Sequence, residues 1–146
     1  MVDFIYTPAK QKLAKATLDF DIVDLRAILC MSDTTASSEQ DAASLAGITT
    51  LDEYDGTGYT RIDFAGLTVT QNDAEDRSEI YVDAGTFGAT VDAATRAVVG
   101  LLYYVRVNGT AANDYPVAWK GLTPPFNGTG TPMTFTPNAA GILWVS

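Results

Sequence analysis

Hydrophobic and polar residues alternate with a period of two along most of the chain, which is the pattern of strands that bury one face. Leu18, Phe20 and Ile22, for example, alternate with Asp19 and Asp21. Gly, Asn, Asp and Pro residues interrupt the alternating runs at intervals typical of a β-sandwich or barrel. Strands are therefore predicted within 18–29, 61–70, 80–84, 87–91, 97–105, 115–119, 133–135 and 142–145.

These runs predict an all-β fold, namely an antiparallel β-sandwich of about eight or nine strands. A single domain covering residues 1–146 is expected, because no internal repeat and no long linker divides the chain. Residues 1–17 would form an N-terminal arm with a short helix, and residues 18–146 would form the sandwich.

Three local patterns refine the prediction. The run 97–105 is apolar at both odd and even positions, which indicates a central strand covered on both faces, or one whose second face meets another subunit. Between 61 and 70 the apolar positions change from even to odd at Ala65-Gly66, which predicts a bulge or tight turn there. Pro116 places its strand at an edge or at a strand start.

Two segments have helical patterns. Thr7 can cap a helix that has Pro8 at its first position and that continues through 9–16. A second short helix is predicted from about residue 38 to residue 46, because serines precede it and Gly47 can end it. Apart from that helix, residues 32–55 are predicted to be a surface loop, as are residues 121–132.

Composition and charge narrow the possible partners. The chain is 47% hydrophobic and 18% charged, which is typical of an ordered domain. Its 18 acidic and 9 basic residues give a formal charge of −9, so binding to nucleic acid or to an anionic membrane is not expected. No apolar run approaches the ~20 residues that cross a bilayer. The single cysteine, Cys30, lies in an apolar run and is expected to be a buried, unreactive thiol.

The chain contains no histidine, so it lacks the commonest general base and metal ligand. We therefore predict a protein that is not an enzyme, with no catalytic residue, no cofactor and no metal. The acidic segment 72–76 is either a solvated turn or a calcium site that lacks the EF-hand pattern. The catalytic alternative is a carbohydrate-active protein that uses paired carboxylates, either from Asp19, Asp21 and Asp24 or from Asp73, Glu75, Asp76 and Glu79.

Two groups of side chains are candidates for binding a partner. The aromatic residues Phe4, Tyr6 and Trp144 either pack in the core or contact a neighbouring chain. Lysines at 10, 12 and 15 form the one dense basic cluster of an acidic protein, and they either meet an acidic surface or lie on a solvated helix face. The predicted partner-binding residues are Phe4, Tyr6, Lys10, Lys12, Lys15 and Trp144.

Several segments resemble a family of small virion structural proteins of tailed phages, the head-decoration or cement type. The segment Thr7-Pro8-Ala9-Lys10, then Thr17-Leu18-Asp19-Phe20-Asp21, then the run 24–29 resembles the opening of such proteins, where a short helix leads through an acidic turn into the first strand. The further similar segments are 56–61, 83–84, 100–104 and 141–143.

The resemblance implies a structural virion protein and carries over no catalytic or metal-binding residue. We expect a capsid decoration subunit, made in the host cytoplasm, that binds the outer capsid surface and bridges major capsid proteins. Neighbouring copies of the chain are expected as further partners, and a trimer would match the three-fold positions of a capsid. A tail, neck or host-attachment module is the first alternative, and a carbohydrate-binding or carbohydrate-active protein is the second.

Overall fold

The computed structural model describes residues 3–88, 96–127, 131–139 and 141–145. This part of the chain contains ten strands, one α-helix and a three-residue 3-10 helix at Leu45–Gly47. The elements are β1 (Phe4–Ile5), α1 (Thr7–Ala14), β2 (Asp24–Met31), β3 (Ile62–Asp63), β4 (Thr68–Asn72), β5 (Arg77–Tyr81), β6 (Gly85–Phe87), β7 (Val98–Arg106), β8 (Tyr115–Phe126), β9 (Met133–Phe135) and β10 (Leu143–Val145).

The strands form three antiparallel sheets. A five-stranded sheet has the order β1-β8-β7-β2-β3, a three-stranded sheet has the order β10-β5-β4, and β6 pairs with β9. The prediction of an all-β, antiparallel, sandwich-like fold is confirmed. The predicted break at Ala65-Gly66 is also confirmed, because β3 belongs to the five-stranded sheet and β4 to the three-stranded sheet. Gly66 makes this change of sheet with φ +63°, a conformation that favours glycine.

Strand β7 lies at the centre of the five-stranded sheet, as its apolar run predicts. It pairs with β2 from Met31↔Val98 to Asp24↔Arg106, and with β8 on its other side. Leu101 and Leu102 point to opposite faces of the sheet, and both are buried. Apolar side chains therefore lie on both faces of this sheet, and other segments of the chain must pack against each face.

One face is covered by the segment between β2 and β3. The middle of this segment reaches the far side of the sheet, where the Leu45 amide donates to the Asp114 carbonyl, and the chain then returns to β2, where the Tyr54 amide donates to the Leu29 carbonyl. It contributes buried side chains to the core: Ala36, Ala42, Leu45, Ile48 and Tyr54. The prediction of a surface loop at 32–55 is therefore incomplete, because the segment packs across the sheet.

The opposite face of the sheet is covered by the two smaller sheets. The Phe64 ring stacks on Tyr103 of β7 at a centroid distance of 6.0 Å, and Phe135 of β9 packs edge-on against Phe64 at 5.4 Å. Ile80 at the centre of the three-stranded sheet is also buried. The sandwich core lies between these layers.

The helices differ in detail from the prediction. Helix α1 starts at Thr7 with Tyr6 as its N-cap residue, so Thr7 is not the cap. The second helix, predicted at 38–46, is reduced to the 3-10 helix Leu45–Gly47 after a series of turns. Ser38 explains part of this difference, because its hydroxyl donates to the Thr35 carbonyl within a local turn that competes with a helix.

Three predicted strand bounds are also corrected. The first long strand begins at Asp24, because residues 18–23 form a turn in which Asp19 Oδ1 accepts the Asp21 amide. Strand β8 continues to Phe126, so residues 121–126 are not a loop. The prediction at 87–91 falls partly outside the described residues, which end there at residue 88.

We expect Gly100→Ala to destabilise the fold strongly. A Cβ atom at Gly100 would lie 2.1 Å from Cζ2 of the Trp119 indole, so the buried ring would have to move. Overpacking of this kind costs about 1–3 kcal/mol. Gly47→Ala is the matched control, since its nearest new contact would be an ordinary 3.7 Å. Urea unfolding of both variants checks the prediction, and equal losses of stability would contradict it.

Candidate interaction surface

A groove of about 840 Å³ lies between α1, the turn that follows it, and one face of the three-stranded sheet. We call it the apolar groove, because most of its lining side chains are hydrophobic. Its lining residues are Ile5, Lys10, Leu13, Ala14, Ala16, Leu18, Asp19, Phe20, Asp21, Val69, Ser78, Ile80, Trp144 and Val145.

The floor of the groove is one face of the three-stranded sheet. Val69 of β4 and Leu143 of β10 both lie opposite Ile80 of β5, so these three side chains share a face. Ile80 and Leu143 are buried, but Val69 is 42% exposed and Val145 36% exposed. The sheet thus has an apolar face that the chain covers only in part.

The other wall of the groove depends on how α1 ends. Ala16 has φ +53°, and its amide donates to the Leu13 carbonyl, which turns the chain back on the helix. Leu18 and Phe20 then point inward and are buried. Asp19 and Asp21 alternate with them and stay exposed, so two carboxylates lie at this rim.

The three lysines of the predicted basic cluster lie in different surroundings. Lys10 lines the apolar groove. Lys12 lies about 200° around the helix from Lys10, and its Nζ is 4.6 Å from the ring centroid of Tyr115. Lys15 is exposed at the C-cap. Only Lys10 is therefore placed to act together with the groove.

Other cations are engaged with carboxylates inside the molecule. Each of the five arginines has an Asp or Glu within 4 Å, and the closest pair joins Arg61 Nη2 to Glu53 Oε2 at 2.6 Å. Lys120 Nζ donates to Asp3 Oδ1 at 2.8 Å. Among the described residues, three lysines have no carboxylate partner, namely Lys10, Lys12 and Lys15, and Lys12 instead lies over the Tyr115 ring. The charges of Lys10 and Lys15 are available to a second molecule.

Tyr6 cannot contact a partner, so this candidate is corrected. Its side chain is fully buried, and its hydroxyl donates to the Ala36 carbonyl at 2.5 Å. Burial raises the pKa of Tyr6 above its ordinary value. The Phe4 ring packs against Tyr6 at 5.2 Å, and Phe4 remains partly exposed. Of the two alternatives for the aromatic residues, core packing holds for Tyr6.

Trp144 is partly buried and belongs to the outer face of the three-stranded sheet. The guanidinium carbon of Arg77 lies 4.4 Å from the indole ring centroid. Arg77 also donates to Glu79, which accepts further hydrogen bonds from Asn72 and from the Tyr81 hydroxyl. The bonds from Tyr81, Arg77 and Asn72 lower the pKa of Glu79. Trp144 thus packs on Arg77, which belongs to a network of hydrogen bonds centred on Glu79.

The acidic segment 72–76 forms the tight connection between β4 and β5. Asp73 and Asp76 border a shallow cleft together with Arg77, whose guanidinium also pairs with Glu75 at 3.7 Å. Nowhere in the described ranges do three or more Cys, Asp or Glu side chains lie close enough together to hold a metal ion. A positive group beside these carboxylates favours the interpretation as a solvated turn.

Cys30 is fully buried in β2, as its apolar surroundings predict. Burial raises the pKa of the thiol to about 12, with smaller contributions from nearby Glu53 and Asp52. The protonated thiol is therefore favoured in the folded state. Its contribution to stability is complete below pH 9, the ordinary pKa, and is lost as the pH rises towards 12.

Sequence reasoning found part of this surface and missed the rest. It singled out Lys10 and Trp144, which the fold brings to the same groove although they lie far apart in the chain. It missed Val69 and Val145, because alternation indicates that one face of a strand is buried and does not show where the cover ends. The run 68–72 contains no charged residue, and this is the feature of the sequence that indicates an unprotected strand there.

Comparison of the chain with protein-family models, with curated proteins and with solved structures finds no match. Within the described ranges, no helix has both the length and the hydropathy that a membrane span requires.

We expect Tyr6→Phe to lower the free energy of unfolding by about 1–3 kcal/mol, since the buried Ala36 carbonyl would lose its hydrogen bond. Tyr103→Phe is the matched control. Tyr103 is also buried, at 4% exposure, but its hydroxyl makes no hydrogen bond within the described part of the chain. Urea unfolding measures both, and a Tyr6→Phe variant as stable as the control would show that the bond to Ala36 is unimportant.

The Cys30 thiol should react with a thiol reagent such as Ellman's reagent only after unfolding. The side chain has no exposed surface and its pKa is raised to about 12, so neither access nor thiolate is present at pH 8. The measurement compares modification rates in buffer and in denaturant. Rapid reaction in buffer alone would contradict the described burial.

Proposed function

We propose that this protein is a structural subunit of a tailed-phage particle, a head-decoration protein that binds the outer capsid surface and bridges major capsid subunits. It acts by adhesion and catalyses no reaction. The apolar groove and Lys10 form the contact surface, and the occupant is an acidic, partly apolar segment of the major capsid protein.

One observation supports the proposal most directly: a lysine without a carboxylate partner lines a groove whose apolar surface is only partly covered. Lys10 lines the same groove as the exposed Val69 and Val145 and has no carboxylate partner within the described ranges. In a chain with net charge −9, Lys10 is the group of this groove that an acidic side chain of the partner can pair with, and Asp19 and Asp21 at the same rim face its neutral or basic side chains. The resemblance of segments 7–10 and 17–21 to small phage structural proteins supports the same surface, because both segments belong to α1 and the adjoining wall.

Binding of this kind stabilises a shell by mass action. A protein that binds the closed lattice and not the dissociated subunits shifts the equilibrium towards the lattice. A standard stable interface buries on the order of 1,600 Å² in total. The groove supplies a central apolar part of such an interface, and its rim of Lys10, Asp19 and Asp21 supplies polar contacts.

Cryo-electron microscopy of the particle tests the proposed location. We expect density for the chain on the outer capsid face, in hundreds of copies per particle. Density confined to the tail or neck, in a handful of copies, would overturn the proposal in favour of an attachment module.

A matched pair of double variants tests the proposed contact surface. We expect Lys10→Gln with Val145→Thr to weaken binding to capsids assembled without the protein by about tenfold, through loss of one charge contact and one buried apolar contact. The control, Lys15→Gln with Val107→Thr, makes the same chemical changes at two residues that do not line the groove. Equal binding by both double variants in a co-sedimentation assay would exclude the groove as the contact.

A further inference from the structure

We propose that strand β4 is a dimerisation edge, to which a second copy of this chain adds its own β4 in antiparallel orientation. The product is a continuous six-stranded sheet with a two-fold axis at Thr70. The inference concerns the isolated protein and does not depend on the proposed capsid role.

The outer edge of β4 has free backbone groups. Each residue of β4 pairs with β5 on one side, from Thr68↔Tyr81 to Asn72↔Arg77. The strand is at the edge of its sheet, and in the described ranges no other backbone group bonds to residues 68–71. The side chains from Thr68 to Gln71 are exposed. An edge of this kind is a template for another strand.

Other sheet edges in the described ranges are shorter or blocked. Strands β1 and β3 have two residues each, and β6, β9 and β10 have three. Strand β8 extends past β1, but that part contains Pro124 and Pro125, which have no amide hydrogen to donate. Strand β4 has five residues, with neither proline nor charge nor bulge to protect it.

The sequence of β4 is compatible with antiparallel pairing to the β4 of a second copy. A two-fold axis at Thr70 places the Thr70 residues of the two copies opposite each other, Val69 opposite Gln71, and Thr68 opposite Asn72, so all five residues pair. None of these residues is charged, whereas the chain as a whole carries −9. Two copies can therefore approach through β4 without placing like charges opposite each other.

This arrangement also has a consequence for the apolar groove. The two-fold axis of an antiparallel pair is perpendicular to the sheet, so both copies keep the same face on the same side. Since Val69 lies on the groove face of β4, the two grooves of the dimer open in the same direction. A dimer would then offer two equivalent contact surfaces to a repeating partner, with the avidity of a bivalent binder.

Sedimentation equilibrium of the purified chain over a wide concentration range tests the proposal. We expect a reversible monomer–dimer equilibrium for the native chain. Thr70→Lys places two like charges opposite each other at the axis and should raise the dimer dissociation constant by about tenfold or more. The control is Thr86→Lys, which adds the same charge to an exposed threonine at the centre of the shorter strand β6. A native chain that stays monomeric, or equal effects of both variants, would overturn the proposal.

Disulfide trapping provides a second readout, which does not require Thr70→Lys to fold. Because Cys30 is buried, an introduced surface cysteine is the only accessible thiol. Thr70→Cys should form a covalent dimer under mild oxidation much faster than Thr86→Cys, since only position 70 meets itself across the axis. Equal rates, or faster trapping at position 86, would show that the chains do not pair through β4.

Discussion

The structure depends on strand β7, which is hydrogen-bonded on both sides and buried on both faces. A strand with apolar side chains in both directions is stable only if each face of its sheet is covered. The chain meets this requirement with two different covers, the segment between β2 and β3 on one side and the two small sheets on the other. Trp119 packs over Gly100 so closely that a methyl group there would collide with the indole.

The two layers that cover the five-stranded sheet differ in how completely they are themselves packed, and this difference accounts for the apolar groove. The segment between β2 and β3 is joined to both sides of the five-stranded sheet by backbone hydrogen bonds. The face of the three-stranded sheet that carries Val69, Ile80 and Val145, by contrast, is covered only in part by α1 and its adjoining turn, so Val69 and Val145 stay exposed. The apolar groove follows from this incomplete cover, whereas the exposed edge of β4 follows from its place at the end of the sheet.

Charged and polar side chains are mostly used to hold the fold. Arginines pair with carboxylates across strand and loop boundaries, as Arg26 of β2 does with Asp63 of β3 at 2.9 Å. The buried Asp114 carboxylate accepts the backbone amides of Val107, Asn108 and Gly109, and so closes the turn between β7 and β8. A buried carboxylate is tolerated when such donors satisfy it. Because the arginines and Lys120 pair with carboxylates and Lys12 lies over Tyr115, Lys10 and Lys15 are the positive charges left for association.

Local patterns in the sequence determined the period-two strands, the central position of 97–105, the change of sheet at Gly66 and the burial of Cys30. Each of these follows from the side chain and backbone preferences of neighbouring residues. Tertiary structure alone decided that Tyr6 is buried with its hydroxyl on the Ala36 carbonyl, that β8 continues to Phe126, and that Lys10 and Val145 line one groove. These outcomes depend on contacts between distant residues, such as Tyr6 and Ala36, which are joined by a hydrogen bond and lie 30 positions apart. Periodicity reports which face of a strand is apolar, but it contains no information about which distant segment covers that face or how completely.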